Sequence, residues 1–363
     1  MFKRSVVQNR IHNMWRFGLA LLVLAGVFAA LSLPAGLLTV VSLVWAEETS
    51  NEPGHPQPTT ADERYATDLI EYADEHRLHW SAWIYHPVWR PPLVDELRLS
   101  SDRPNRFGEI VKWGLKRNPV RREAPLTRLK VSGNQLLDAD GNPILLRGVA
   151  IADPHTLKRI DDLFDERLFQ RLADDWQVNL IRVPIHPAVY AKHPNYVREF
   201  LDPIVEWGRR HRFYMLLDWH AIGDPRTGRS ERPDVIADLG LARRGLTEIA
   251  TRYRTFGWVL FGTFNEPTYI DSWNDWRPIA TELIDTVRAV HPDAVCTVSG
   301  LDWGYDLRGA IRQPIPRDNL IYECHPYPWK DQAWRRFIRE IARHHPVLLG
   351  EWGFDVTGAR PGP

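Results

Sequence analysis

The sequence predicts an α/β fold: a (β/α)8 TIM barrel, circularly permuted so that helix 7, strand 8 and helix 8 precede strand 1. Three observations carry this expectation. From residue 144 onward, seven short β-branched runs alternate with helical stretches, the pattern of βαβ units and a parallel sheet. The chain ends soon after Glu351, so no eighth strand follows, and an open sheet of seven strands would leave an edge. Upstream, an aromatic β-like run at residues 78–85 (LHWSAWIY) lies between two helical stretches and supplies the missing strand.

The elements follow in chain order. Residues 17–45 carry no charge; Lys3, Arg4, Arg10 and Arg16 precede them, and Glu47 and Glu48 follow. A bilayer needs ~20 apolar residues, so this stretch is long enough to cross one. The positive flank stays inside, which puts the rest of the chain outside the cytoplasm. A cleaved signal peptide is the alternative: Val44-Trp45-Ala46 fits small-residue cleavage, and Pro34 interrupts the run. Residues 1–46 are therefore expected to be an anchor or a signal, and 47–60, which include NEPGHPQPTT, an extended linker.

Residues 61–363 are expected to form a single barrel domain. Its 61–117 part gives a helix at 61–77, the run at 78–85 and a helix at 105–116. Residues 127–141 read as a hairpin with turns at 132–134 and 139–142, placed to plug the barrel floor. Residues 126–363 supply the other strands, at 144–149, 179–183, 213–217, 258–263, 294–298, 319–323 and 346–349. Helical periodicity marks 165–176, 197–210, 235–254, 273–290 and 331–344.

Composition narrows the function. The 363 residues are 44% hydrophobic and 25% charged, which is globular. Lys+Arg and Asp+Glu both number 46, so no basic excess points to nucleic acid. Two cysteines exclude a disulfide framework and a Cys-rich zinc module; Cys296 and Cys324 are expected as buried thiols. No Gly-rich phosphate loop and no His-x-His at a strand end is found, so no cofactor or metal is expected. The 16 tryptophans stand out, because stacked Trp holds sugars or bases. Trp89, Trp273, Trp276, Trp303 and Trp329 fall in or near the upper loops and are candidate platforms.

In such barrels the chemistry sits at the C-terminal ends of the strands. Those ends carry Arg182, His220, Asn265-Glu266, His325 with Tyr327, and Glu351, and the upstream run adds Trp83. Closure of the barrel would bring Glu266 and Glu351 face to face. Two carboxylates across a scissile bond are what glycoside hydrolysis requires, one protonated and one ionised. Arg182 and Tyr327 are suited to holding a carboxylate ionised, and Asn265 to bonding a sugar 2-OH.

With these residues in place, the sequence resembles glycoside hydrolase family 5, the cellulase family. Leu145-Leu146-Arg147-Gly148-Val149, Ile181-Arg182-Val183-Pro184 and Asp218-Trp219-His220-Ala221 look like its first three strands. Phe264-Asn265-Glu266-Pro267 resembles the fourth, His325-Pro326-Tyr327 the sixth and Gly350-Glu351-Trp352-Gly353 the seventh. Trp80-Ser81-Ala82-Trp83 resembles the eighth strand and Phe107-Gly108-Glu109 the last helix, out of order. The resemblance implies Glu266 as acid/base and Glu351 as nucleophile of a retaining mechanism. It implies Arg182 and Tyr327 orienting Glu351, Asn265 on the 2-OH, His220 and His325 holding the sugar and its neighbours, and Trp83 flooring the cleavage subsite. The implied activity is an endo-β-1,4-glucanase acting on cellulose or mixed-linkage glucan. A mannanase, an exo-β-glucosidase, a transglycosylase and a barrel that binds glycan without cutting it stay open.

Overall fold

The structure is a computed structural model and describes residues 54–117 and 125–358. The expected anchor or signal at 17–45 lies outside the described residues. Among the described residues, no helix is long and apolar enough to cross a membrane. Pro58–Pro363 form one compact unit.

Eight parallel strands form a closed barrel, numbered here in chain order. They are β1 (His79–Ala82), β2 (Arg147–Ala150), β3 (Leu180–Ile185) and β4 (Tyr214–Trp219), then β5 (Val259–Gly262), β6 (Cys296–Ser299), β7 (Leu320–Cys324) and β8 (Val347–Leu349). Their hydrogen-bonded order is β1-β8-β7-β6-β5-β4-β3-β2, closing back on β1. The first strand therefore sits between the last and the second. His79 and Trp80 pair with Leu348 and Leu349 of β8, while Trp80, Ser81 and Ala82 pair with Arg147, Gly148 and Val149 of β2. Every residue of every barrel strand is buried, as expected where helices cover the outside and side chains fill the inside.

The outer ring has α1 (Ala61–Glu75), α2 (Arg106–Arg117), α3 (Glu166–Arg171), α4 (Asp202–Arg210), α5 (Leu239–Tyr253), α6 (Trp273–Arg288), α7 (Arg308–Arg312) and α8 (Trp334–Ile341). Thr60 caps α1 by accepting from the Glu63 N–H at 3.1 Å, and Glu63 reaches back to the Thr59 N–H at 2.9 Å. On the buried side of α1, Asp74 pairs with Arg147 of β2, whose guanidinium lies 5.8 Å from the Trp80 ring centre. Tyr72 of α1 donates to Arg335 O at 2.5 Å. The leading segment is thus locked on both sides of the gap that β1 fills. The hairpin, Lys130–Ser132 with Gln135–Leu137, lies at the floor. The Leu129 N–H donates to Gly257 O at 2.9 Å and the Val131 N–H to Asn319 Oδ1 at 3.0 Å, both just before barrel strands.

Boundaries differ from the sequence reading in one physical respect. The run at 78–85 forms a strand only as far as Ala82. Beyond it the chain leaves the barrel: the Trp83 N–H bonds Trp352 O at 3.1 Å, Ile84 exchanges bonds with Pro91 and Leu93, and the Tyr85 N–H bonds Ala150 O at 2.8 Å. Aromatic content reads as strand, but here Trp83 stacks on His220 and Tyr85 packs edge-on against Trp176. The helix α7 carried no clear periodicity, being a single turn. Cys296 and Cys324 are both buried and free.

Because β1 supplies one of the eight staves, a chain starting at Leu126 is expected to lack a closed barrel. It should show no cooperative thermal unfolding by circular dichroism, whereas the full chain melts in one transition. A sharp melt of the shortened chain would contradict this closure.

Candidate active site

The C-terminal ends of the strands open into a cleft of about 670 Å³. Its walls include Trp83, His220, Asn265, Glu266, Trp303, Tyr327, Trp329 and Glu351. Glu266 follows β5 on a short parallel extension in which Glu266 and Pro267 pair with Ile222 and Gly223. The Asn265 and Glu266 N–H groups donate to Trp219 O and Ala221 O, both at 3.0 Å. Glu351 follows β8 directly. An oxygen of Glu266, an oxygen of Glu351 and a ring nitrogen of His325 all lie within 4.8 Å of one another.

Arg182 is the hub. It is fully buried on β3 and donates from Nη1 to Glu351 Oε1 at 2.8 Å and from Nη2 to Asn265 Oδ1 at 2.5 Å. The same guanidinium lies 3.1 Å from Asp218 and 3.4 Å from Glu323. Tyr327 donates its hydroxyl to Glu351 Oε2 at 3.0 Å, so Glu351 receives two donors. Asn265 Nδ2 is buried with no hydrogen-bond partner among the described residues. An unpaired buried amide donor on a cleft wall is costly until a ligand meets it.

His220 lines the cleft, with Nδ1 2.7 Å from Asp218 Oδ2 and its ring stacked on Trp83 at 5.4 Å and 1°. His325 behaves differently from the sequence expectation. It is wholly buried, off the cleft wall, and spends both ring nitrogens on carboxylates: Nδ1 lies 2.8 Å from Glu266 and Nε2 3.1 Å from Glu323. It holds Glu266 rather than facing the cleft. Burial opposes a charged imidazole here, yet Glu351, Glu266 and Glu323 outweigh it and push His325 up to about 10.

The carboxylates divide accordingly. Burial would raise Glu266, but the His325 hydrogen bond and charge bring it below its ordinary range. Burial pushes Glu351 up to about 7, against the pull of His325 and Arg182 and with Glu266 and Asp218 adding to the rise. Asp218 goes the same way, to about 7. Glu323, also buried, is held down to about 2 by Arg182, His325 and Thr297.

Two buried acids of this cluster, Asp218 and Glu323, were not singled out from sequence. The signal was present: side chains two apart on a strand share a face. Asp218 stands two before His220, and Glu323 two before His325.

The tryptophan candidates separate as well. Trp303 and Trp329 line the cleft, Trp329 stacked on Tyr327 at 4.4 Å and 13°. Trp273 and Trp276 do not; they lie buried on the inner face of α6, their indole N–H groups donating to Gln313 O at 2.8 Å and Ser299 O at 3.1 Å. An amphipathic helix start explains them better than a loop platform. Trp89 stacks on His186 at 5.2 Å and approaches Trp83 at 6.2 Å.

The family model for cellulase, glycosyl hydrolase family 5, matches residues 137–361. An endoglucanase of Clostridium saccharobutylicum is 28% identical over 257 residues, which are 68% of this chain and 54% of that protein. Endoglucanase A of Butyrivibrio fibrisolvens is 28% identical over 241 residues, 64% of this chain and 53% of that protein. The chain spans about half the length of these curated relatives. Among solved structures, β-glucanase SdGluc5_26A from Saccharophagus degradans in complex with cellotetraose matches with a TM-score of 0.61 and 28% identity, over 68% of this chain and 79% of that one. The catalytic domain of a Thermobifida fusca endoglucanase matches with a TM-score of 0.55 and 25% identity, over 66% and 78%.

Removing the hub cation should be expensive. Arg182→Met leaves Glu351, Asp218 and Glu323 buried without their common partner, and a loss of ~3–5 kcal/mol in urea unfolding is expected. A loss below about 1 kcal/mol would contradict this, being what an exposed pair costs.

Proposed function

The chain belongs to glycosyl hydrolase family 5, and from that premise we propose that it is a retaining endo-β-glucanase cutting β-1,4 bonds in cellulose or mixed-linkage glucan. One observation carries the reading: Glu266 and Glu351 present oxygens within 4.8 Å of each other in an open, aromatic-walled cleft. Retaining glycosidases hold their carboxyls ~5–5.5 Å apart, and inverting ones ~6.5–9.5 Å. The endoglucanase relatives and the cellotetraose-bound neighbour support a glucan rather than another polymer.

Glu351 is the nucleophile. It attacks the anomeric carbon while Glu266 protonates the departing glycosidic oxygen, leaving a covalent glycosyl-enzyme. Glu266 then takes a proton from water, which frees the sugar with its original anomeric configuration. Arg182 and Tyr327 aim Glu351 and favour its ionised form. Glu266 and His325 hold one proton between atoms 2.8 Å apart, and they titrate as a unit. Asn265 Nδ2 meets the sugar 2-OH. Trp83 floors the cleavage subsite, with His220 beside it, and Trp303 and Trp329 carry neighbouring sugars.

We also infer that the chain is a circular permutant of its family. The matched residues, 137–361, leave out 61–117, yet β1 and α1–α2 complete the barrel. The N-terminal residues 17–45 support export or membrane anchoring on sequence grounds, with the catalytic domain outside the cytoplasm.

The test is cleavage of barley mixed-linkage glucan, carboxymethyl cellulose and mannan, with the product anomer followed by NMR. β-Product should form first from the glucans. Glu266→Gln and Glu351→Gln should each lose at least about a hundredfold. An α-product, or a Glu351→Gln variant of full activity, would overturn the assignment.

The pH profile has a defined sign. The nucleophile works ionised, so kcat/KM should rise with pH through about 7, where Glu351 loses its proton. The acid works protonated, so the rate should fall as the Glu266–His325 pair loses its proton near 10. An optimum on the alkaline side of neutral is expected; a maximum near pH 5 would count against these roles.

A further inference from the structure

Behind the reacting carboxylates lies a buried chain of hydrogen bonds that the proposed reaction does not by itself require. Thr297 Oγ1 of β6 donates to Glu323 Oε2 at 2.6 Å. Glu323 Oε1 meets His325 Nε2 at 3.1 Å, and His325 Nδ1 meets Glu266 Oε1 at 2.8 Å. Glu323 is 1% exposed and His325 fully buried, so water does not substitute for any link. The barrel makes room for this chain: a methyl group on Gly350, just before Glu351, would overlap Glu323 Oε1.

We propose that Glu323 is a positioning residue that fixes His325 with a proton on Nε2, leaving Nδ1 as the atom that exchanges a proton with Glu266. The inference rests on the reading of Glu266 as acid/base. The reasoning is geometric. The tautomer with its proton on Nδ1 alone would set a bare Nε2 against a carboxylate oxygen, two lone pairs with no proton between them. With Glu323 ionised, Nε2 donates whether the ring is neutral or charged. In the charged ring Nδ1–H donates to the Glu266 carboxylate. In the neutral ring Nδ1 accepts from the Glu266 carboxyl. One proton moves along 2.8 Å, no side chain turns, and no proton is gained or lost by the pair.

The groups that face Glu323 come from the adjacent β6 and from across the barrel. Arg182 of β3 at 3.4 Å and the Thr297 hydroxyl favour its charge, while Asp218 of β4 opposes it. Beyond His325 stand Glu266 and Glu351, which keep the ring cationic. Glu323 adds the third carboxylate to that set. Without its charge the ring should give up its proton at lower pH, and the pair should lose its acid function sooner.

The experiment uses the full chain and two substrates. Cellotetraose has a leaving group that needs a proton; 2,4-dinitrophenyl β-cellobioside has one that does not. For Glu323→Gln, kcat/KM on cellotetraose should fall about tenfold or more, and the alkaline limb should move down by about one pH unit. The dinitrophenyl substrate should keep its rate within about twofold, and Glu323→Asp should recover most of the loss. A parallel fall on both substrates, or an unmoved alkaline limb, would mean that Glu323 only shapes the core. The wild-type chain gives a second readout that needs no variant. With 15N-labelled histidine, the His325 Nε2 should stay protonated from acid through alkaline pH, and a bare Nε2 would refute the proposal. If the wild type cleaves neither substrate, the glucanase reading itself fails. If it cleaves both and Glu323→Gln treats them alike, only the role of Glu323 falls.

Discussion

One guanidinium, that of Arg182, sits fully buried at the centre of Glu351, Asp218, Glu323 and Asn265. A buried charge is tolerable only when partners replace its hydration. Here the partners are drawn from four other strand ends, so the cation can be satisfied only in the closed barrel. The charge count then sets the rest. Arg182 and His325 offer two positive charges against Glu266, Glu351, Asp218 and Glu323. Four carboxylates cannot all ionise freely beside two cations in a largely buried site. Glu323, held by Arg182, His325 and Thr297, stays ionised, and Glu266 follows His325. Glu351 and Asp218 are left with the surplus and rise to about 7. The difference between Glu266 and Glu351 is thus a property of the cluster rather than of either glutamate.

Geometry reaches the cleft through the seam between the first and last strands. Pairing of β1 with β8 puts Trp83 beside Trp352, joined by a backbone bond of 3.1 Å, and so places the Trp83 ring next to Glu351 in the cleft wall. The stack of Trp83 on His220 then links this seam to β4 on the other side of the mouth. A segment encoded ahead of the motif-bearing strands therefore contributes both a stave and part of the cleft wall.

Much of this was legible in the sequence because barrels write themselves in alternation. Seven runs and one upstream run became eight strands, and the strand-end residues Arg182, His220, Asn265, Glu266, Tyr327, Glu351 and Trp83 met in one cluster. What was not legible depended on depth rather than order. His325 looked like a sugar ligand, because a strand-end histidine does not announce whether its ring faces the cleft or the layer beneath. Asp218 and Glu323 belong to that lower layer, and only the period of two, two residues before His220 and His325, could have pointed to them. Trp273 and Trp276 looked like loop aromatics, because nothing local tells which side of a helix start turns inward.

The seam has a consequence for how the protein is made. Of the eight barrel strands β1 leaves the ribosome first; it can find β2 once residue 150 has emerged, but its other neighbour, β8, is not synthesised until residues 347–349. Until then the nascent chain exposes an unpaired edge and an uncapped Arg182, whose partner Glu351 comes later still. Stable closure of the barrel is thereby deferred until residue 351 has emerged. A barrel that stays open for that long exposes apolar surface and an unpaired strand edge throughout its synthesis, the condition in which aggregation competes with folding.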